Sequence, residues 1–383
     1  MMRTIYLDTA ATTPALKSVV EEMLPYFSEE FANPSGSYDF SKTARQAIEL
    51  SRRRIASLTG AAPEEIFFTS GGSEADNWAI KGAADFFEKN RRKIVTTPIE
   101  HHAVLNTADF LKNHGFTVEY LPVDKFGVVD LEAAENIIDS DTAVVSVMFA
   151  NNEVGTIQPI EEISKTAHKH GALFHTDAVQ AAGHVKIDVS EMGIDMLSAS
   201  GHKFGAPKGI GFLYKKNGVE ISSLIHGGSQ EGGLRAGTEN VPYIAAIGKA
   251  AEEAEKNMAA ENIEIAGKRD CFVEMVLKGI AGSVLNGHPE KRLPSNANIS
   301  FRGVEGKSVV SMLSMYGICV SAQSACASKS DSVSHVLSAM GLDFERARGA
   351  VRFTFGSGVR FEDLDYTVNC LERIIKNLRC LDS

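Results

Sequence analysis

The sequence predicts an α/β protein: a large domain built on a mainly parallel sheet flanked by helices, followed by a small C-terminal α+β domain. Three observations carry that expectation. Apolar runs at 65–69, 93–97, 117–121, 142–148, 172–176, 194–198 and 210–214 alternate with helical patterns near 74–90, 101–114, 130–138 and 159–170. That βαβα rhythm buries parallel strands under helices on both faces. Between Asn240 and about Ile280 the pattern turns wholly helical, as one long exposed helix or a pair, and reads as the link to a second unit. Finally, 383 residues suffice for one large and one smaller core without a disulfide or metal staple.

Taken in order, the segment Leu7-Asp8-Thr9-Ala10-Ala11-Thr12-Thr13-Pro14 precedes an amphipathic stretch to about Phe27 and a loop, Asn33-Pro34-Ser35-Gly36-Ser37. Helix returns from Ala44 to Leu58, with Arg52, Arg53 and Arg54 expected on a solvated face. Beyond the long helical region, strands near 297–301 and 350–355 and helices near 305–316, 332–340 and 361–379 complete the second unit. The expected boundaries are 15–255 for the large domain and 256–383 for the small one, with residues 1–14 an arm belonging to the latter.

A net charge of −10 without a basic run argues against a nucleic-acid groove or an anionic membrane surface. Five cysteines without paired or metal-like spacing point to reduced thiols in a cytoplasmic protein, and no metal site is expected. Asp8 interrupts the N-terminus before a signal-type apolar stretch develops, and no later run reaches membrane-spanning length, so a soluble, unexported protein is expected.

The candidate chemistry centres on Ser200-Gly201-His202-Lys203-Phe204-Gly205. Lys203 follows a strand and precedes a Gly/Pro-rich turn, where a partly desolvated amine suits a Schiff base with pyridoxal 5′-phosphate (PLP); a surface loop lysine is the alternative. PLP also needs an acid beside its ring nitrogen, an anion cup and a flat neighbour. Asp177 ends an apolar strand and suits the first role, or else caps a helix. Thr69-Ser70-Gly71-Gly72-Ser73 runs from a strand into a helix, whose first N–H groups and Ser73 hydroxyl suit a phosphate, or else form an ordinary turn. His101, opening a helix after a strand, suits ring stacking and proton transfer or simple capping. Ser70, Asn152, Asp177 and Lys203 all follow strand candidates and are expected to converge beyond the strand carboxyl ends. The block Gly227–Thr238 is too glycine-rich for buried structure and is expected to reach a ligand or partner subunit, or to be a linker. Cys326 lies in Ser324-Ala325-Cys326-Ala327-Ser328, small polar residues expected to be exposed and mobile, where a thiol suits chemical use.

Together these motifs resemble the PLP-dependent cysteine desulfurases of the NifS/IscS type (group I) in the class V aminotransferase family, nearly end to end from Asp8-Thr9-Ala10-Ala11-Thr12-Thr13 to Val351-Arg352-Phe353. The resemblance implies the fold type I of PLP-dependent transferases and a homodimer. It implies that Lys203 anchors PLP, Asp177 pairs its ring nitrogen, Gln180 binds its ring oxygen and His101 stacks and moves protons. Gly72, Ser73, Ser200 and His202 would hold the phosphate, with Thr238 contributed by the neighbouring subunit. Asn152, Arg352 and Asn33 would hold the carboxylate of L-cysteine, Asn152 also contacting the cofactor. Cys326 would take the sulfur as a persulfide and pass it to an acceptor protein in iron–sulfur, thio-cofactor or tRNA-thiolation pathways. Departures from the family pattern fall at Tyr38, Ser229, Gly232 and Gln323. The chain ends soon after its last helical pattern, without the tail that housekeeping members use to dock a scaffold, so the resemblance does not name the acceptor. A selenocysteine lyase or other cysteine-derivative β-lyase, and a non-catalytic PLP-binding scaffold, are the competing readings.

Overall fold

A computed structural model describes residues 3–322 and 333–381 of the chain. Strand β1 (Ile5–Tyr6) opens it, followed by α1 (Lys17–Met23) and α2 (Pro25–Ser28). The stretch expected as one amphipathic run is divided here because Pro25, which lacks an N–H, occupies the first position of a new helix. Helix α3 (Ser41–Thr59) ends at Gly60 with φ of 71°, a left-handed cap that glycine accepts without Cβ strain. Its arginines correct the expectation of a solvated face. Arg52 lies 2.7 Å from the carboxylate of Glu231, and Arg54 pairs with Glu22 at 2.9 Å and Glu252 at 3.2 Å, leaving only Arg53 exposed. A charge run on one helix carries no information about acids arriving from remote segments.

The seven-stranded sheet follows: β2 (Ile66–Thr69), α4 (Gly72–Phe87), β3 (Lys93–Thr96), α5 (His102–Asn113), β4 (Thr117–Tyr120), α6 (Leu131–Ile137), β5 (Thr142–Ser146), α7 (Ile160–Lys169), β6 (Leu173–Asp177), β7 (Met196–Ser200) and β8 (Gly211–Lys215). Its order is β2-β8-β7-β6-β5-β3-β4. The run β7-β6-β5-β3-β4 is parallel, as expected; β8 is antiparallel to both neighbours. The connection from Ser200 to Gly211 holds one short turn and no crossover helix, which parallel pairing needs. Alternate residues feed two cores. Val95, Val145, Phe174, Leu197 and Phe212 face one side, and Ile94, Val144, Leu173, Met196 and Leu213 the other.

The helical region left open as one helix or two is a single helix, α8 (Val241–Gly279), of 39 residues. Its first turns bury Ile244, Ile247 and Ala251 in the first core; its last bury Ile265, Phe272 and Val276 in a second. That second core is covered by β9 (Ser283–Asn286), β10 (Asn296–Phe301), α9 (Gly306–Met315), β11 (Ile318–Cys319), α10 (His335–Ala339), α11 (Phe344–Arg348), β12 (Ala350–Thr354) and α12 (Phe361–Leu381). The antiparallel sheet β12-β10-β9 supplies Ile299, Phe301 and Phe353, and the N-terminal segment supplies Ile5 and Leu7 as β1 pairs with β11. Among the described residues no helix is long and apolar enough to cross a membrane.

Candidate active site

A cavity of about 240 Å³ opens beyond the carboxyl ends of the parallel strands, lined by Gly72, Ser73, His101, Asn152, Asp177, Gln180, Ser200, His202, Lys203 and Arg352. Asn33 and Thr238 do not line it: both are exposed, and the Asn33 side chain accepts a hydrogen bond from the Ser35 N–H at 2.9 Å. Ser70 lines a neighbouring hollow with Glu231 and Arg235 instead. Tyr38, Ser229 and Gly232 are exposed. Cys326 and Gln323 lie outside the described residues.

Asp177 closes β6, the central strand, at its carboxyl end. Its Oδ1 accepts from the Val179 N–H at 2.9 Å, so it caps the following turn and lines the cavity at once. Sequence reasoning did not single out its neighbour Asp76, which also lines the cavity and is 1% exposed. Burial pushes both carboxyl groups up; the Asp177 charge raises Asp76 further, while the Val179 N–H and the Lys203 charge pull Asp177 back down. His175, on β6, links β5 to β7, its Nδ1 2.8 Å from Ser146 Oγ and its Nε2 2.9 Å from Ser198 Oγ. Burial lowers it to about 3, so it is a neutral spacer beside Asp76.

Lys203 ends a one-turn helix after β7, and its Nζ donates to the carbonyls of Ala10 at 2.6 Å and Ala11 at 3.0 Å. Gln180 Nε2 donates to the same Ala10 carbonyl at 3.1 Å, and His202 Nδ1 lies 3.1 Å from Thr12 Oγ1. The N-terminal segment is thus laid across the site. His101 Nδ1 accepts from the Ala103 N–H at 3.2 Å, capping α5, while its ring lines the cavity. Burial first, then the Lys203 charge, lower it to about 4. The neutral ring therefore carries its proton on Nε2, since Nδ1 is an acceptor. Beside it, Glu100 accepts from Thr97 Oγ1 at 2.7 Å and Met148 N–H at 2.9 Å, and burial raises it to about 8.

The start of α4 forms an anion cradle, since first-turn N–H groups have no intrahelical partner. Glycine is needed there: a Cβ on Gly72 would sit 2.5 Å from Val179 Cγ2. Ser73, Ser200 and His202 border the same cradle, and burial lowers His202 to about 4. A lysine, a strand-end acid and a phosphate-type cradle in one cavity fit PLP.

On the opposite side, Arg352 from β12 is 2% exposed. Its Nη2 lies 2.8 Å from Asp8 Oδ1 and its Nη1 donates to the Asn152 carbonyl at 2.9 Å, while Nε has no partner among the described residues. The glycine-rich loop corrects another expectation. It is not free of buried structure: Glu231, at φ of 49°, is 7% exposed, pairs with Arg52 and accepts from the Phe68 N–H at 3.1 Å. Arg235 is tied to Glu74 at 2.8 Å. Two charged residues among the glycines pin the loop to α3, β2 and α4. Among the described residues no cluster of His, Cys, Asp or Glu is placed to hold a metal ion.

Known proteins resemble this chain over nearly its whole length. The family described as "Aminotransferase class-V" matches residues 5–367. A "Cysteine desulfurase IscS" of Clostridium botulinum is 50% identical over 381 residues, covering 99% of this chain and 96% of the relative. One of the same description from Methanosarcina thermophila is 48% identical, covering 98% and 93%. A solved structure titled "NIFS-LIKE PROTEIN" superposes with a TM-score of 0.92 at 39% identity, covering 98% of this chain and all of that one. The chain belongs to the class-V aminotransferase family and, within it, to the cysteine desulfurases of IscS and NifS type.

Proposed function

We propose that the protein is a PLP-dependent cysteine desulfurase, converting L-cysteine to L-alanine and leaving the sulfur on Cys326 for an acceptor. The observation that carries this reading is the meeting of Lys203, Asp177, His101 and Arg352 around one cavity with an anion cradle. Gly72, Ser73, Ser200 and His202 would hold the PLP phosphate, Asp177 its ring nitrogen, Gln180 and Asn152 its flank, and Lys203 its carbon. Bound there, PLP supplies an electron sink for charge developing on the substrate carbons.

The chain's own groups do the rest. Arg352 and Asn152 orient the carboxylate of L-cysteine, for which a guanidinium fork is suited. The Lys203 amine takes the proton from Cα and returns protons on the same side, as a positioned base does. His101, neutral and with its proton on Nε2, serves as a proton donor facing the ligand. The Cys326 thiolate attacks the substrate sulfur: a new S–S bond forms, the Cβ–S bond breaks, its electron pair remains with Cβ, and protonation there yields L-alanine.

Thr238, exposed on the loop pinned by Glu231 and Arg235, suits a contribution to the phosphate site of the other subunit of a two-fold dimer. The same reading keeps Asn33 as a substrate contact, a reducing cytoplasmic setting, and the division into 15–255 and 256–383 with the 1–14 arm. That division is supported by the packing of Ile5 and Leu7 with Phe272 and Phe353.

The test is brief exposure of the PLP-loaded protein to L-cysteine without reductant, followed by peptide mass spectrometry and alanine assay. The Cys326 peptide should gain one sulfur with matching alanine, and borohydride should fix the cofactor to Lys203. Sulfur on another cysteine, or alanine undiminished in Cys326→Ala, would overturn the reading.

A further inference from the structure

The Arg352 side chain is fixed from outside the second unit's own sheet. A guanidinium on a long, flexible stem has many rotamers, and a carboxylate in bidentate or paired geometry is the usual means of selecting one. Here that carboxylate comes from the other end of the sequence, through Asp8 Oδ1 at 2.8 Å from Nη2. Asp8 is itself held. Its Oδ2 accepts from Ser321 Oγ at 3.0 Å, its backbone bridges Thr354, and the Thr354 N–H donates to the Leu7 carbonyl at 2.9 Å. Ser321 in turn exchanges backbone hydrogen bonds with Arg352, N–H to carbonyl in both directions, at 3.2 and 2.6 Å.

Three remote segments therefore close a ring around one guanidinium. The ring is incomplete in one respect: Nε of Arg352, in a residue 2% exposed, has no hydrogen-bond partner among the described residues. A buried donor without a partner marks a place where an acceptor completes the set. One Nη1 proton goes to the Asn152 carbonyl and one Nη2 proton to Asp8, which leaves the Nε–H, with a second proton on each Nη, for an incoming carboxylate.

The geometry points to Asp8 as a positioning residue for amino-acid recognition: it orients the Arg352 guanidinium so that its uncommitted edge receives the substrate's α-carboxylate, with Ser321 fixing Asp8 in turn. This rests on the reading above that Arg352 receives that carboxylate. Asp8 touches neither substrate nor cofactor in this role. Its removal should weaken discrimination in favour of a carboxylate-bearing amine while leaving binding of the amine itself intact.

The experiment titrates PLP-loaded protein, followed by cofactor absorbance, with L-alanine, which has no sulfur to lose, and with ethylamine, the same chain without the carboxylate. Asp8→Ala should weaken L-alanine by on the order of tenfold and leave ethylamine unchanged, the loss expected for one misplaced charge-assisted contact. The KM for L-cysteine should rise in step while kcat falls much less. Asp8→Asn keeps an oxygen acceptor and should recover part of the loss; Ser321→Ala should show a smaller loss of the same kind. L-Alanine binding Asp8→Ala as tightly as wild type would overturn the proposal, as would L-alanine and ethylamine weakening together, which would mean a displaced N-terminal segment. Arg352→Ala keeping full preference for L-alanine over ethylamine would show instead that the guanidinium is not the carboxylate site, and the proposal would fall with that reading.

Discussion

The two sides of the cavity are built differently. On one, Asp177, Lys203, Ser73 and His101 each sit within a few residues of a strand end or helix start, so the sheet ladder alone sets their spacing. On the other, Asp8 and Arg352 meet across 344 positions of sequence, and Asn152 joins them from a third segment. The first side is a property of the fold's topology; the second exists only once the N-terminal segment and the second unit have docked. On the proposed reading, bond chemistry falls to the side whose spacing the sheet sets, and substrate orientation to the side built from remote segments.

Substitutions test that division. Lys203→Ala, on the strand-end side, should lower turnover by more than about a thousandfold, since positioned proton transfer alone contributes ~10²–10⁴. The measurement is alanine release from saturating L-cysteine; activity within tenfold of wild type would break the contrast. Arg352→Ala, on the assembled side, should raise the KM for L-cysteine by about 10- to 100-fold, the loss of a charge-assisted pair of hydrogen bonds, with a smaller change in kcat. A kcat loss as large as that of Lys203→Ala would show the two sides to be one functional unit.

Beneath the strand-end side, Glu100 should make stability pH-dependent. Its pKa is raised from 4.5 to about 8 in the fold. Its contribution is therefore complete below pH 4.5 and lost as the pH rises towards 8. Glu100→Gln has no proton to lose, so its melting temperature should gain on wild type steadily across that window. His101 and His202, lowered to about 4 from 6.5, act in the opposite sense: their contribution is present above pH 6.5 and lost as pH falls towards 4. A constant difference between Glu100→Gln and wild type would remove Glu100 from this account. Finally, Arg52→Ala strands the Glu231 carboxylate against β2 and should cost about 3 kcal/mol, at the low end for breaking a buried pair because Arg52 keeps some exposure. Adding Glu231→Gln, which removes the charge but keeps an acceptor for the Phe68 N–H, should recover much of it in thermal melts; no recovery would mean that the pair itself, rather than the orphaned charge, stabilises the loop.

The same contrast explains what could be read from the sequence. Strand-end residues follow apolar runs at fixed offsets, so Asp177, Lys203, Ser73 and His101 stand out from local pattern. Arg352 sits in an apolar strand with no local sign of a role, and only the family resemblance brought it forward. Asp76, Glu100 and His175 gave no signal because a buried polar residue is recognised by its partners, which lie on other strands. Arg52 and Arg54 were misread for the same reason. Strands β1, β9 and β11 and helix α11, at two to five residues, are too short to show a period.

Helix α8 has a consequence for how the molecule comes apart. At 39 residues it runs about 58 Å without a break, its two ends buried in different cores and its middle turns largely in solvent. A flexible linker would let one core melt while the other persisted. A continuous hydrogen-bonded ladder instead makes each core the nucleus that keeps the other's terminal turns wound, because helix propagation is cheap once a turn exists. Heat should therefore melt the two halves as one cooperative unit, and a proline placed in the solvated middle, at Asn257 for instance, should uncouple them into two calorimetric transitions.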